Sequence, residues 1–333
     1  MNPKQLTNNI FSITNEISFT DIALEIFQFQ SRQNKVYKEY LNLLNIDPAG
    51  ITRLSQIPFL PVEFFKTHAV ISGNRPIERA FLSSGTTNSN RSKHEVCDLA
   101  LYEESFTKCF ELFYGKPQHY TFLALLPSYL DRKDSSLVYM VDKLIGLSNL
   151  TNSGFYLRNT DELLNKILML EQAGQKYLLL GVTYALLDLA EKVLKNKFPK
   201  LKHAIVMETG GMKGMRKELV KAELHATLKN AFGLKAIHSE YGMTELLSQA
   251  YSKENGIFNC PPWMKVMIRD INDPFKSLQP GQTGGINIID LANIYSCSFI
   301  ATQDLGKIHN EHTFEVLGRF DNSDLRGCNL LIN

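Results

Sequence analysis

Residues 177–195 read YLLLGVTYALLDLAEKVLK. The first six, Tyr177 to Val182, form an unbroken apolar run of strand length, which reads as a β-strand buried on both faces. From Tyr184 to Lys195 the apolar residues recur at helical spacing, so a helix follows the strand almost at once. Short apolar runs alternating with helices predict a parallel sheet covered on both faces.

The alternation extends in both directions. Upstream lie a strand end at Ala80 to Leu82, a helix at Asp98 to Phe113, a buried strand at Tyr120 to Leu126, and helices at Ser135 to Ile145 and Asp161 to Gln172. Downstream come a strand at Ala204 to Met207, a long helix at Lys213 to Asn230 and a strand at Leu234 to His238. Residues 18–45 carry Ile22, Ile26, Phe29, Val36, Tyr40, Leu43 and Leu44 at helical spacing, predicting two amphipathic helices that stop at Asp47-Pro48. Pro58 and Pro61 then bracket an extended segment, IPFLPVEFFKTH. After about Pro261 the texture changes: Val266 to Arg269, Gly285 to Ile289 and Thr313 to Leu317 read as strands between Gly, Pro, Asn and Asp turns, hence an antiparallel sheet or a small barrel. Three regions follow: N-terminal helices and an extended segment packed on the body (1–75), an α/β core (76–260) and a β-rich part (261–333).

The chain has 333 residues, 44% hydrophobic and 21% charged, which excludes disorder as its main state. At roughly 100–200 residues per domain, this length predicts about two domains, or one large α/β body with a small appendage. Lys and Arg (36) nearly balance Asp and Glu (34), and no run of like charge supplies a nucleic-acid groove or a membrane-surface patch. The most basic stretch, Lys192 to Lys202, reads as a solvated helix end. No apolar stretch reaches membrane-spanning length and no signal segment opens the chain, so a cytoplasmic protein is expected. Five widely spaced cysteines, Cys97, Cys109, Cys260, Cys297 and Cys328, argue for reduced thiols rather than a disulfide framework or a cysteine zinc site.

Common phosphate-loop, dinucleotide, zinc-protease and nucleophile-elbow patterns are absent. Ser105 and Lys108 form an S-x-x-K without its companion motifs. FLSSGTTNSNRSK (81–93) is either a polar turn or a loop whose amides and hydroxyls cradle a polyanion, with Arg91 and Lys93 adding positive charge. HSEYGMTE (238–245) lies at a predicted strand end, where open α/β sheets bind ligands, and otherwise reads as a capped helix start. ATQDLGKI carries Asp304, a carboxylate suited to two ribose hydroxyls, and LGRFDNSDLRGCNLL begins just before Gly318-Arg319.

In order along the chain, the Ser/Thr/Gly loop, METGG (207–211), YGMTE, Thr302-x-Asp304 and Gly318-Arg319 resemble the adenylate-forming superfamily of acyl-CoA synthetases and firefly luciferase. PVEFFKTH, LLPSYLDRKDSSLVYMVDKLI (125–145) and the terminal RGCNL are similar to the LuxE-type acyl-protein synthetases within it. The resemblance implies an adenylate-forming large-domain fold, with doubly wound, mainly parallel sheets and the C-terminal antiparallel sheet or small barrel ending at a hinge motif, and with the lid domain essentially missing. It implies an ATP- and Mg²⁺-dependent ligase that converts a carboxylic acid, a fatty acid in the family, to an acyl-adenylate with release of pyrophosphate. The acyl group then passes to a cysteine thiol of the chain itself or of a partner protein such as a reductase.

By position, Ser83, Ser84, Gly85, Thr86 and Thr87 would bind phosphates, and Thr209, Gly210 and Gly211 would line adenine. Tyr241 would stack on the base beside Gly242, Thr244 would sit near the α-phosphate and Glu245 would hold Mg²⁺. Asp304 would hold the ribose, and Arg319 would contact ribose or phosphate. Cys328 stands where the family keeps its acyl-accepting cysteine; Arg326 beside it favours the thiolate, although a lone cysteine is also often a small buried hydrophobe. His68 suits either the wall of an acyl pocket or a structural role. Asn88 and Gln303 replace superfamily glycines, and Arg91 stands near the usual lysine. Two other readings remain: an aryl or acyl ligase that delivers to CoA or a carrier protein, and a nucleotide-binding scaffold that has lost its chemistry.

Overall fold

Polar side chains start the N-terminal helices. In the computed structural model, which describes residues 3–84, 91–127, 134–156, 159–210, 219–310 and 312–320, these are α1 (Pro3–Ile10), α2 (Glu16–Gln33) and α3 (Lys35–Leu43). Asn15 accepts from the Ser18 amide at 2.9 Å in a reciprocal cap, and Asn34 closes α2 while capping α3 through the Tyr37 amide at 2.9 Å. There follow β1 (Leu60–Pro61), α4 (Phe64–Thr67), and β2 (Arg79–Leu82) paired antiparallel with β3 (Lys93–Val96).

The α/β part runs α5 (Leu99–Tyr114), β4 (Thr121–Leu125), α6 (Ser136–Ser148), β5 (Gly154–Tyr156), α7 (Thr160–Gln172), β6 (Tyr177–Val182), α8 (Thr183–Lys195), β7 (Ala204–Thr209), α9 (Lys221–Phe232) and β8 (His238–Tyr241). Every residue of β4 and β6 is buried, as an apolar run covered on both faces requires. A Cβ at Gly181 would come within 2.8 Å of Leu186, so glycine is what lets α8 fold back onto β6. The chain ends in β9 (Ala250–Ser252), β10 (Ile257–Asn259), β11 (Met264–Arg269), β12 (Thr283–Asp290), β13 (Phe299–Asn310) and β14 (Thr313–Arg319).

Among the described residues, one twelve-stranded sheet has the order β11-β12-β13-β14-β10-β9-β8-β7-β6-β4-β5, with β1 alongside β13. β8 is the joint: it pairs parallel with β7 on one side and antiparallel with β9 on the other. Asp290, the last residue of β12, locks the chain beyond β8 to the antiparallel half. Fully buried, its carboxylate accepts the amides of Leu247 and Ser248 at 2.8 and 3.0 Å and the Ser248 hydroxyl at 2.5 Å. The Trp263 indole donates to Ser248 and Ser105 at 3.1 Å, extending the network into α5.

Three sequence expectations shift. The strand expected at Leu234 to His238 lies at His238–Tyr241, because Gly233 ends α9 at φ 70° and the Leu234 amide bonds back to Lys229. Of the helix expected from Lys213, the described part is Lys221–Phe232, with Val220 extended, and residues 211–218 lie outside the described set. The twelve-residue β13 has no counterpart in the reading, because its buried apolar start gives way to the polar, partly buried Gln303 and Asp304 and to register shifts near Gly306 and Asn310. The antiparallel strands, left open as a sheet or a barrel, extend the parallel strands through β8.

Asp290→Ala leaves two amides and a hydroxyl buried without their acceptor, so unfolding free energy in urea titration should fall by about 3 kcal/mol or more. An unchanged midpoint would show that this network is dispensable.

Candidate active site

Ser83 and Ser92 close the mouth of the loop between β2 and β3. The Ser83 amide donates to the Ser92 carbonyl at 3.0 Å, and the Ser92 amide to the Ser83 hydroxyl at 2.9 Å. Arg91 donates to the Ser83 carbonyl at 2.6 Å and pairs with Asp134 at 3.0 Å; Lys93 pairs with Glu95 at 2.5 Å. Both cations expected to face a triphosphate are thus engaged by carboxylates. Ser84 is exposed, whereas Gly85, Thr86, Thr87 and Asn88 lie outside the described residues.

At the ends of β7 and β8 two carboxylates sit on adjacent strands, Glu208 level with Ser239 and Thr209 with Glu240. Burial works against the charge of Glu208, but Lys221 at 2.5 Å, with His225 and Ser239, overcomes it and holds the pKa down at about 2. Among the described residues, Glu240 has no such cation. Burial, aided by the Glu208 charge and opposed by the Thr209 hydroxyl that donates to it, pushes it up to about 7. A Cβ on Gly242 would come within 2.5 Å of Glu240 Oε1, so any larger residue here would have to displace this carboxyl. Gly210, at φ 68°, is exposed, and its carbonyl accepts from the Thr183 hydroxyl at 2.8 Å. Gly211 lies outside the described residues.

Tyr241, Asp304 and Arg319 come from three strands to one point. The Tyr241 hydroxyl donates to Asp304 at 2.7 Å, while its ring meets Phe258 and Phe314 edge-on at 5.8 and 5.6 Å. The β13–β14 register sets Asp304 opposite Arg319, whose Nε lies 3.5 Å from the carboxylate; Arg319 is 70% exposed and Asp304 14%. Burial raises the Asp304 pKa against the opposing pull of Tyr241 and Arg319, and burial with the Asp304 charge raises that of Tyr241 well above its ordinary value. Thr302 accepts the Asp304 amide at 3.0 Å, and Arg269 donates to the Thr302 carbonyl at 2.6 Å from beneath. Gln303, the departure from glycine, donates to Glu63 in the PVEFFKTH segment.

Thr244 is half-buried and Glu245 buried. Burial raises the Glu245 pKa against a hydrogen bond from Ser92. The carbonyl of Thr244 lies 2.8 Å from His94 Nδ1, and that of Glu245 accepts from Asn293 at 2.7 Å. His68 is exposed and leans on Phe64, with ring centroids 5.4 Å apart. Cys328 lies outside the described residues. The described cysteines are unpaired, and burial raises their pKa: Cys109 well above its usual value, Cys260 and Cys297 to about 12, Cys97 by a lesser shift. Among the described residues, no group of three or more His, Cys, Asp or Glu side chains is placed to hold a metal, and no helix is long and apolar enough to cross a membrane.

Glu240 stands inside the HSEYGMTE motif, but the sequence reading gives roles there only to Tyr241, Gly242, Thr244 and Glu245. His94, Arg269 and Asn293 gave no signal, because each owes its place to partners far away in sequence.

The fold is that of the adenylate-forming ligases. ATP-bound MatB from Rhodopseudomonas palustris superimposes with a TM-score of 0.55 at 18% identity, over 74% of this chain and 49% of that one. An open conformation of 2-hydroxyisobutyryl-CoA ligase, in complex with 2-HIB-AMP and CoA, superimposes with a TM-score of 0.68 at 12% identity, over 93% of this chain and 72% of that one. The chain therefore spans about half the length of the MatB structures. Residues 147–333, more than half of the sequence, match the family described as acyl-protein synthetase, LuxE, and the chain belongs to that family. No curated protein matches it. The family and fold expected from the ordered motifs are borne out.

Glu240 supplies a pH test of the carboxylate pair. Its pKa is raised from 4.5 to about 7, so its contribution to stability is complete below pH 4.5 and is lost as pH rises through 7. Relative to Glu240→Gln, the parent should lose about 3 kcal/mol of unfolding free energy between pH 4.5 and 8. Urea melts whose difference does not change with pH would contradict the raised pKa.

Proposed function

We propose that the chain activates a carboxylic acid with ATP and passes the acyl group to a cysteine thiol. The observation that carries this reading is the convergence of Tyr241, Asp304 and Arg319, with Thr244 and Glu245 just beyond Tyr241, in a LuxE-family chain of adenylate-forming fold. A carboxylate oxygen of the acid attacks the α-phosphorus of ATP, the bond to the bridging oxygen breaks, and pyrophosphate leaves an acyl-adenylate. Such a step relies on positioning and on neutralising developing charge.

Asp304, oriented by the Tyr241 hydroxyl that donates to it, binds the ribose hydroxyls with its remaining acceptor capacity. Thr209 and Gly210 flank the adenine, and Gly242 keeps that side open above Glu240. Ser83 and Ser84, with Gly85, Thr86 and Thr87, take the outer phosphates, and Thr244 donates to the α-phosphate. Arg319, exposed and loosely paired, turns from Asp304 to the nucleotide. Glu245 suits Mg²⁺: a buried carboxylate whose proton affinity is raised by burial gains most from a dication, and Mg²⁺ takes one or two carboxylates and completes its shell with phosphates and water. When bound, the ion would neutralise charge on the leaving pyrophosphate.

In the second half, a thiolate attacks the acyl carbonyl, AMP leaves and a thioester forms. Buried thiols with raised pKa values are poor nucleophiles, which speaks against Cys97, Cys109, Cys260 and Cys297 and in favour of Cys328 or a thiol on a partner protein. The acid is a fatty acid by family, and a reductase is the kind of partner that would consume the thioester.

Carboxylate-dependent exchange of labelled pyrophosphate into ATP should occur, and its absence across a panel of fatty and aryl acids would overturn the activation reading. Asp304→Ala should raise the KM for ATP in that exchange tenfold or more, as expected for loss of a charge-assisted hydrogen bond. A hydroxylamine-labile acyl label should vanish in Cys328→Ser while exchange persists; label that survives the substitution would exclude Cys328.

A further inference from the structure

His94 and Asn293 stand at opposite ends of the sequence, on β3 and in the turn after β12, and both are fully buried. They reach consecutive carbonyls: His94 Nδ1 lies 2.8 Å from Thr244 O, and Asn293 Nδ2 donates to Glu245 O at 2.7 Å. A carbonyl only accepts, so His94 must carry its proton on Nδ1. Burial lowers the pKa of its ring to about 4, which leaves it neutral with that single donor at physiological pH.

Of the remaining polar atoms, His94 Nε2 and Asn293 Oδ1 make no hydrogen bond of good geometry beside one small cavity bordered by Leu247 and Tyr295, although the Asn293 side chain is near enough to His94 to oppose the fall in its ring pKa. An unsatisfied buried polar atom costs about 1–3 kcal/mol, and a leucine would occupy either place without that cost. What the two polar side chains supply in return is their hold on these two carbonyls.

That hold has a specific geometric consequence. The Thr244 carbonyl belongs to the peptide plane before the Cα of Glu245, and the Glu245 carbonyl to the plane after it. Holding both planes restrains φ and ψ of Glu245, and with them the direction of its Cα–Cβ bond. Ser92, two residues before His94 at the foot of the same hairpin, faces the Glu245 carboxyl and opposes the rise that burial gives its pKa. The segment around Glu245 is therefore gripped from two places, the β2–β3 hairpin and the turn after β12.

We propose that His94 and Asn293 are positioning residues that aim Glu245, coupling the β2–β3 hairpin to the segment after Tyr241. The inference rests on the activation reading for its kinetic consequence, not for the clamp itself. In pyrophosphate exchange, His94→Leu and Asn293→Leu should lose tenfold or more in kcat, with the KM for ATP within about threefold, since a displacement near 1 Å costs on that order. His94→Asn, which returns a donor near Nδ1, should recover most of the rate. A folded His94→Leu chain with the parent's kcat overturns the proposal, as does a loss that appears only in thermal stability.

If the parent chain exchanges with no acid, the activation reading fails and hydrogen exchange judges the clamp alone. Amides in peptides spanning 241–246 should exchange at least tenfold faster in His94→Leu and return toward parent rates in His94→Asn. Unchanged protection there overturns the clamp whatever the chemistry.

Discussion

Residues 284–302 are buried from end to end, so the connection between β12 and β13 crosses the interior with little water to satisfy its backbone. Partners come from elsewhere in the chain. Gln30 of α2 donates to the carbonyls of Asn293 and Ile294 at 3.1 and 2.9 Å, and its own oxygen accepts the Ser298 amide at 3.0 Å. Asn34 donates to the Ser296 carbonyl at 2.9 Å, and the Ser296 hydroxyl to the Val70 carbonyl at 2.7 Å. At the head of the connection Asp290 works in the opposite direction, accepting donors from Leu247 and Ser248. The N-terminal helices, the end of β12 and the chain beyond Glu245 thus share one buried hydrogen-bonding system.

This arrangement explains why the candidate site can be assembled from short motifs far apart in sequence. Each motif ends on an element that the buried connection fixes. Tyr241 closes β8, and within eight residues the chain is held by Asp290. Asp304 lies on β13, which begins where the connection ends. Asn293 lies within it. Neutral groups dominate the contacts, so the placement costs little desolvation of charge. Two acids depart from this: Asp290, fully buried and held by three donors, and Glu208, whose buried charge is balanced by Lys221.

The parallel half was legible because burial on both faces writes itself as unbroken apolar runs: Tyr177–Val182 is read and found at the same residues. Helices with an Asp, Ser or Asn at the start, such as those capped by Asp98 and Ser135, were legible to within a residue or two at that end. β13 was not, because a strand whose middle faces a polar site carries Gln303 and Asp304 where alternation would place apolar residues. The order of the motifs revealed the family, while the contacts that aim them did not show. His94 reads as one more residue of a charged strand, KHEV, and only the tertiary fold brings its ring to Thr244, 150 residues away.

Gln303 shows how a departure from a motif can be a connection rather than a loss. Where the superfamily has glycine, this side chain reaches Glu63, and the Val62 amide bonds the Ala301 carbonyl at 3.0 Å as β1 runs parallel to β13. Along the edge of β13 that β12 does not take, β14, with Arg319, and the PVEFFKTH segment follow one another, so the strand that carries Asp304 is held by both. Glycine at 303 would leave that second hold to two backbone pairs. With glutamine there, a side-chain hydrogen bond ties the N-terminal segment to the residue beside Asp304, and Arg269 holds the preceding residue by donating to the Thr302 carbonyl.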